Sequence, residues 1–211
     1  QALAFLWHSF IAYSLKEWSV FDKVAVKLLQ RVQYGHYTFL FTKQTLYGPA
    51  DLQQFIPMLI EAQKRGLLPH FVSKILHDLG YSQIELHPGY TLRVHTLGRF
   101  KVFLGNREVT DWQRGKAKEL FEYIITHHGM FISKQQIMDA LWSEQDEKTA
   151  DRDFKVALNA LHSALEPGRK ARMKPFFIKR SGNSYGLNSD SGYKLDTIEF
   201  EQCVLIGLEE K

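Results

Sequence analysis

Apolar residues recur at helical spacing through the first 80 positions. Ala2, Leu3, Leu6, Phe10 and Tyr13 share one face, and Val24, Leu28 and Val32 resume the period after Ser19. Asp51 is placed to cap a third helix running through Glu61–Gln63, which Pro57 must kink or break. Pro69 opens a short helix that carries Phe71, Val72, Ile75, Leu76 and Leu79 and stops at Gly80. Short apolar helices of this kind predict the edge of a helical-hairpin array, although no repeat period emerges.

After His87-Pro88-Gly89-Tyr90 the period drops to two. Leu92 and Val94 alternate with Arg93 and His95, and Phe100, Val102 and Leu104 repeat the alternation beyond Gly98. Gly105-Asn106 makes a turn into a third short strand, Arg107-Glu108-Val109. Helical spacing then returns. Ala117, Leu120, Phe121, Ile124 and Ile125 form one stripe between Gly115 and His128, closed by Gly129. Ser133 and Gln136 make a capping box for a second helix, which buries Ile137, Met138, Leu141 and Trp142. A third helix begins near Thr149–Asp151, carries Phe154, Leu158, Leu161 and Leu165 on one face, and ends at Pro167-Gly168. Phe176 to Arg180 and Tyr185 to Asn188 are two strands joined through Gly182-Asn183. Asp196, with Glu199 as box partner, starts a last helix through Phe200, Val204 and Leu208 to the end of the chain.

The expected fold is therefore α+β. Residues 1–80 form an all-α segment, 81–90 a linker, 91–190 a winged helix-turn-helix domain, and 191–211 the start of a further helical domain. The winged domain has a three-stranded N-terminal sheet, three helices and a C-terminal wing hairpin.

Composition narrows the function. The 211 residues are 45% hydrophobic and 24% charged, a globular balance. The net charge of +4 is too small to name a partner, but its distribution is informative. Residues 91–190 carry 17 basic against 12 acidic side chains, whereas 191–211 carry 2 against 5. A single cysteine, Cys203, excludes an internal disulfide or a thiolate zinc cluster and fits a reducing, cytoplasmic setting. It is expected to be a core thiol on the last helix. The longest apolar run, Ala2 to Leu15, is about fourteen residues where a membrane span needs roughly 20. The chain starts at Gln1 and stops at Glu209-Glu210-Lys211 in mid-helix, so it reads as a piece of a larger protein.

No nucleophile–base pair, GxGxxG or Gly-rich Lys-Ser/Thr loop is present, so neither an enzyme nor a cofactor is expected. His127-His128 lack a third ligand at metal-binding spacing and read as a helix-end dipole partner and a surface residue. Trp112 and Trp142 are expected to pack between sheet and helices.

The stretch LRVHTLGRFKVFLGNREVTDWQRGKAKELFEYIITHHGMFISKQQIMDALWSE resembles the OmpR/PhoB-like winged helix-turn-helix domain of bacterial transcriptional activators of the antibiotic-regulatory type. The matching features are Leu97-Gly98 before Phe100, Lys116-Ala117 before Leu120, Ser133, Leu141-Trp142 and Tyr185-Gly186-Leu187. Their order and spacing carry the resemblance, which covers about residues 91–195. It implies that Gly192 to Asp196 leads into a helical activation domain and that RNA polymerase is a partner. Residues 1–80 resemble, more weakly, the tetratricopeptide-like region of large regulators similar to the maltose-regulon activator. One departure stands out. Relatives commonly carry a basic pair around the position of Leu161, where this chain has Asn159, Ala160, His162 and Ser163. Affinity would then lean on the wing, on neighbouring loops, or on dimerisation.

The partner expected on this reading is double-stranded DNA, with helix 150–166 in the major groove and hairpin 176–188 on the minor groove. Arg152, Lys155 and Asn159 are the principal candidates for base contacts, with His162 and Ser163 secondary. For Arg152 the alternative is a salt bridge to Asp151, Asp153 or a nearby loop. Arg169, Lys170, Arg172, Lys174, Lys179 and Arg180 form a basic run without an acid, suited to phosphates. Lys134 and Asn183 join them, and Lys116 and Lys118 are further backbone candidates. Two copies on repeated half-sites would raise affinity. The competing reading is a protein-interaction module that uses the same fold without specific DNA binding.

Overall fold

The computed structural model describes residues 1–82, 84–170 and 172–209, with Glu209 described in its backbone alone. The expected continuation of the last helix through Glu210 and Lys211 lies outside the described residues. The fold is mixed α+β, with several helices and two small β-sheets, and it divides into two units, Gln1–Tyr90 and Thr91–Lys211.

In the first unit, α1 (Ala2–Ser14) and α2 (Trp18–Tyr34) pack as a hairpin, and α4 (Ile56–Lys64) packs with α5 (Pro69–Asp78) as a second. A short α3 (Phe39–Thr42) lies between them in sequence. The expected helix from Asp51 is split. Asp51 accepts the Gln53 N–H and caps a 3-10 turn, Leu52–Phe55, and α4 then starts with Pro57 in its first turn, where a missing N–H breaks no helical bond. Phe55 is the hub of the core, meeting Trp7, Phe10 and Phe41 edge-on at 5.6, 5.4 and 6.2 Å. Leu28, Leu29, Val32, Leu59, Val72 and Ile75 are buried in the same unit. Arg65 grips both oxygens of Asp22 and lies over the Trp18 ring, tying α4 to α2.

The second unit begins with β1 (Leu92–His95), β2 (Lys101–Leu104) and β3 (Arg107–Glu108), an antiparallel run whose alternation matches the sequence pattern. It has a fourth strand that the pattern does not reveal. After α6 (Gly115–Thr126), β4 (Ile132–Ser133), α7 (Lys134–Leu141), α8 (Glu147–Leu165), β5 (Ile178–Ser181) and β6 (Ser184–Leu187), the chain returns as β7 (Lys194–Leu195), parallel to β1. The sheet order is β3-β2-β1-β7. The second sheet, β4-β6-β5, adds Ile132–Ser133 to the expected hairpin.

Helix α6 lies against α8 and α7 through Ala117, Leu120, Phe121 and Ile124. Trp112 and Trp142 pack as expected, the first against Phe121 and the second against Phe154. The capping box of α7 is present: Ser133 Oγ accepts the Gln136 N–H, and Gln136 Oε1 accepts the Ser133 N–H. Such a cap contributes about 1 kcal/mol. Gly186 on β6 is required by a close approach, since a Cβ there would sit 2.6 Å from the Met130 carbonyl oxygen.

The last helix, α9 (Asp196–Glu209), is anchored at its first residue. Asp196 accepts the N–H groups of Thr96 and Leu97 and the Thr96 hydroxyl at 2.8–3.0 Å. Burial works against that carboxylate, but the N–H donors outweigh it and hold its pKa below the usual value. Further along, Phe200, Val204, Leu205 and Leu208 are exposed, and so is Cys203. The expectation of a core thiol is therefore corrected: beyond its first turn this helix is exposed, with no cover from the described residues of its own unit.

Candidate nucleic-acid interface

The candidate surface is built on α8, 19 residues long and capped by Asp146, which accepts the Thr149 N–H at 3.1 Å. The helix thus starts before the expected Thr149–Asp151. Its buried face is held by Phe154, Ala157, Leu161 and Leu165 against α6. The opposite side exposes Arg152, Lys155, Val156, Asn159 and Ser163, a single stripe at helical spacing. Arg152 takes the local alternative anticipated for it, a 3.1 Å pair with Asp153. Lys155 pairs with Asp151 at 2.7 Å, one turn back. Ser163 returns its hydroxyl to the Asn159 carbonyl at 3.0 Å.

His162 is not on that stripe. It is 7% exposed, and its Nδ1 is buried without a hydrogen-bond partner among the described residues. The C-terminal turns of α8 are enclosed more widely than its leucine spacing indicates, with Ala160, Ala164 and Glu166 buried as well. Burial, and then the charge of Arg169, push the imidazole pKa down from 6.5 to about 4. The neutral ring is the folded form. Its contribution to stability is full above pH 6.5 and is lost as pH falls toward about 4, because only the unfolded chain takes up the proton in that window. Thermal midpoints should drop across this range, and His162→Gln should flatten the drop. Equal slopes for the two proteins would refute the assignment.

Helix α7 and the β5–β6 hairpin meet beside the start of α8. The Lys134 N–H donates to the Asn183 carbonyl at 2.9 Å, fixing the hairpin tip to the first turn of α7. Gly182, at φ +60°, takes the first corner of that tip. Arg180 is exposed, folds its Nε onto the Gly182 carbonyl and lies over Tyr185. The Lys134 ammonium is turned inward, bonded to Asp151 and set 5.6 Å from the Phe154 ring. An open cleft of about 620 Å³ lies here, lined by residues of α7, the start of α8 and the hairpin tip, among them Lys134, Asp146, Glu147, Lys148, Asp151 and Asn183.

The basic run disperses. Lys170, Arg172 and Lys174 are exposed, Lys179 pairs with Asp190 at 2.9 Å, and Arg169 turns into its own loop to donate to the Met173 carbonyl at 2.7 Å. Lys116 and Lys118 are engaged on α6 with Glu119 and Glu122. The structure thus brings together Arg152, Lys155, Asn159 and Ser163 on one stripe, and Lys134 with Asn183 at its end. Arg169, His162 and the Lys134 ammonium, expected among the contacts, are withdrawn from that surface.

Sequence reasoning names Asp151 only as a possible partner of Arg152, not of Lys134 or Lys155, and does not find Glu166. The i,i+4 spacing of Asp151 and Lys155 is the available signal for the first; nothing local marks the second as buried. Among the described residues no group of three His, Cys, Asp or Glu side chains is arranged to hold a metal, and no helix is long and apolar enough to cross a membrane. No protein-family model matches the chain, nor does any curated protein or solved structure.

Proposed function

We propose that residues 91–195 are a winged helix-turn-helix module that binds double-stranded DNA sequence-specifically, as part of a bacterial transcriptional regulator. Helix α8 would enter the major groove and the β5–β6 hairpin would follow the neighbouring minor groove. The observation that carries this reading is the exposed stripe of Arg152, Lys155, Asn159 and Ser163 on a helix whose other face buries Phe154, Ala157, Leu161 and Leu165, with Leu158 half-buried. An α-helix fits the major groove, where lysine and arginine suit guanine edges and asparagine suits adenine. Arg180, Lys179 and Asn183 at the hairpin, with Lys170, Arg172 and Lys174 before it, would supply phosphate contacts.

On the same reading the helical first unit is the end of a tetratricopeptide-like array in a MalT-like regulator. The apolar face of α9 begins the activation-type domain, RNA polymerase is the further partner, and two copies sit on repeated half-sites. The setting is cytoplasmic. No catalysis or cofactor is part of the proposal.

A second reading has its own support. Asp153 and Asp151 offset the charges of Arg152 and Lys155, which leaves the stripe less cationic than its arginine and lysine alone would make it. A docking module for protein would be served as well. Selection of this fragment against randomised duplex DNA at two salt concentrations separates the two. A motif enriched at the higher salt, and abolished by joint Lys155→Ala and Asn159→Ala replacement in a folded protein, is the expected result. Each lost base contact should cost about 1–3 kcal/mol. Unselective retention that vanishes with salt would favour the docking module.

A further inference from the structure

Asp151 is the acid that joins two lysines, Lys134 and Lys155, at the head of α8. Its Oδ1 accepts the Lys134 ammonium from α7, and its Oδ2 accepts the Lys155 ammonium one helical turn on. Lys134 is 18% exposed and Lys155 67%, so one arm of the bridge is structural and the other lies in solvent. The bridge borders the cleft lined by the first turns of α7 and α8 and by the hairpin tip.

To an ammonium group, a carboxylate and a phosphate offer the same thing, an anionic oxygen acceptor. We propose that Asp151 is a specificity-determining residue that stands in for a DNA phosphate, masking Lys134 and Lys155 until base contacts release Lys155. The inference rests on the DNA-binding reading above. A free lysine pair at this point would attract any duplex equally, because phosphate contacts carry no sequence information. With Asp151 in place, Lys155 leaves its partner only where a new acceptor exceeds the one it loses. On a matching site the base edge is that acceptor; on random DNA only a screened phosphate is offered. Asp151 therefore weakens non-specific binding more than specific binding. Its place in the fold suits this role, since Lys134 holds the carboxylate at the helix head whether or not Lys155 is present.

The test compares the full chain with Asp151→Asn, which keeps the shape and one acceptor oxygen but removes the charge. Affinity for a selected duplex and for a scrambled duplex is measured over a salt series. The expected result is that scrambled-duplex affinity rises several-fold and its log–log salt dependence steepens by about 0.9 for each lysine freed. Affinity for the selected site should change less, so discrimination falls. Asp151→Glu keeps the charge and should behave as the natural protein does. Asp151→Ser is the neutral replacement to use if the asparagine variant fails to fold by circular dichroism. Unchanged salt dependence in a folded neutral variant overturns the proposal, and so does loss of binding to both duplexes, which would make Asp151 a residue that aims Lys155. If the natural protein and the neutral variant both fail to bind any duplex, the DNA-binding reading itself falls. Binding by the neutral variant alone would show the mask at its strongest.

Discussion

Glu166→Leu should destabilise the Thr91–Lys211 unit by about 3–5 kcal/mol, whereas Glu166→Gln should leave it close to the natural protein. Glu166 follows the last residue of α8 and is 5% exposed. Its Oε1 accepts the N–H groups of Phe176 and Phe177 at 2.8 and 3.1 Å, and Asn188 reaches the Phe176 carbonyl from the other side. These bonds fix the strand entry into the hairpin. Leucine removes that acceptor from two buried N–H groups, each costing about 1–3 kcal/mol. Glutamine keeps a carbonyl oxygen in the same place. Burial raises the Glu166 pKa, and the N–H bonds from Phe177 and Phe176 and the Arg169 charge offset this only in part. A raised folded pKa means that its contribution is full below the unfolded value of about 4.5 and is lost as pH rises through the folded one. The glutamine variant should therefore gain on the natural protein as pH increases. Urea unfolding at two pH values measures both effects. Equal losses for leucine and glutamine would mean that shape, not N–H acceptance, holds the strand entry.

Long periodic segments are legible in the sequence because one buried face repeats several times in each. That is why α6, β1 and β2 match their expected positions, why α8 differs only in starting earlier, at Glu147, and why the spacing of Ser133 and Gln136 alone is enough to pair them. Strands β4 and β7 have two residues each, too few for a period, and exist because Tyr185 and Val94 lie opposite Ile132 and Leu195. His162 departs from its expected place for a related reason. Four leucine-type positions define a narrow stripe, but the end of α8 is enclosed around a wider arc, and spacing carries no information about how much of a helix its neighbours cover. The amphipathic pattern of α9 gives a helix correctly and a buried thiol wrongly, since periodicity states which face is apolar and not what meets it. The Asp151 bridge joins α7 to α8 across 17 residues, a distance at which sequence pattern is silent.

Phe154→Ala should be the most damaging single truncation in the second unit, at about 3–5 kcal/mol. The ring is 1% exposed and stands where three elements join. It meets Trp142 at the end of α7 at 6.2 Å, Tyr185 on β6 at 5.1 Å, and the Lys134 ammonium at 5.6 Å. Removing it opens a cavity that rigid neighbours on separate elements cannot close together, which places the cost at the upper end of the large-to-small range. The conservative Phe154→Leu should cost less, about 1–1.5 kcal/mol, because most of the volume stays. Stability alone would not show that the residue joins α8 to the hairpin, so a second readout is needed. Amide exchange at Ile178–Leu187 should accelerate in Phe154→Ala by more than the global loss of stability explains, because Tyr185 loses the neighbour that seats β6 on α8. Exchange that rises uniformly over the unit would instead make Phe154 an ordinary core residue. Local loosening would mean that the spacing between helix and hairpin, on which any grip across two grooves depends, is set by this one ring.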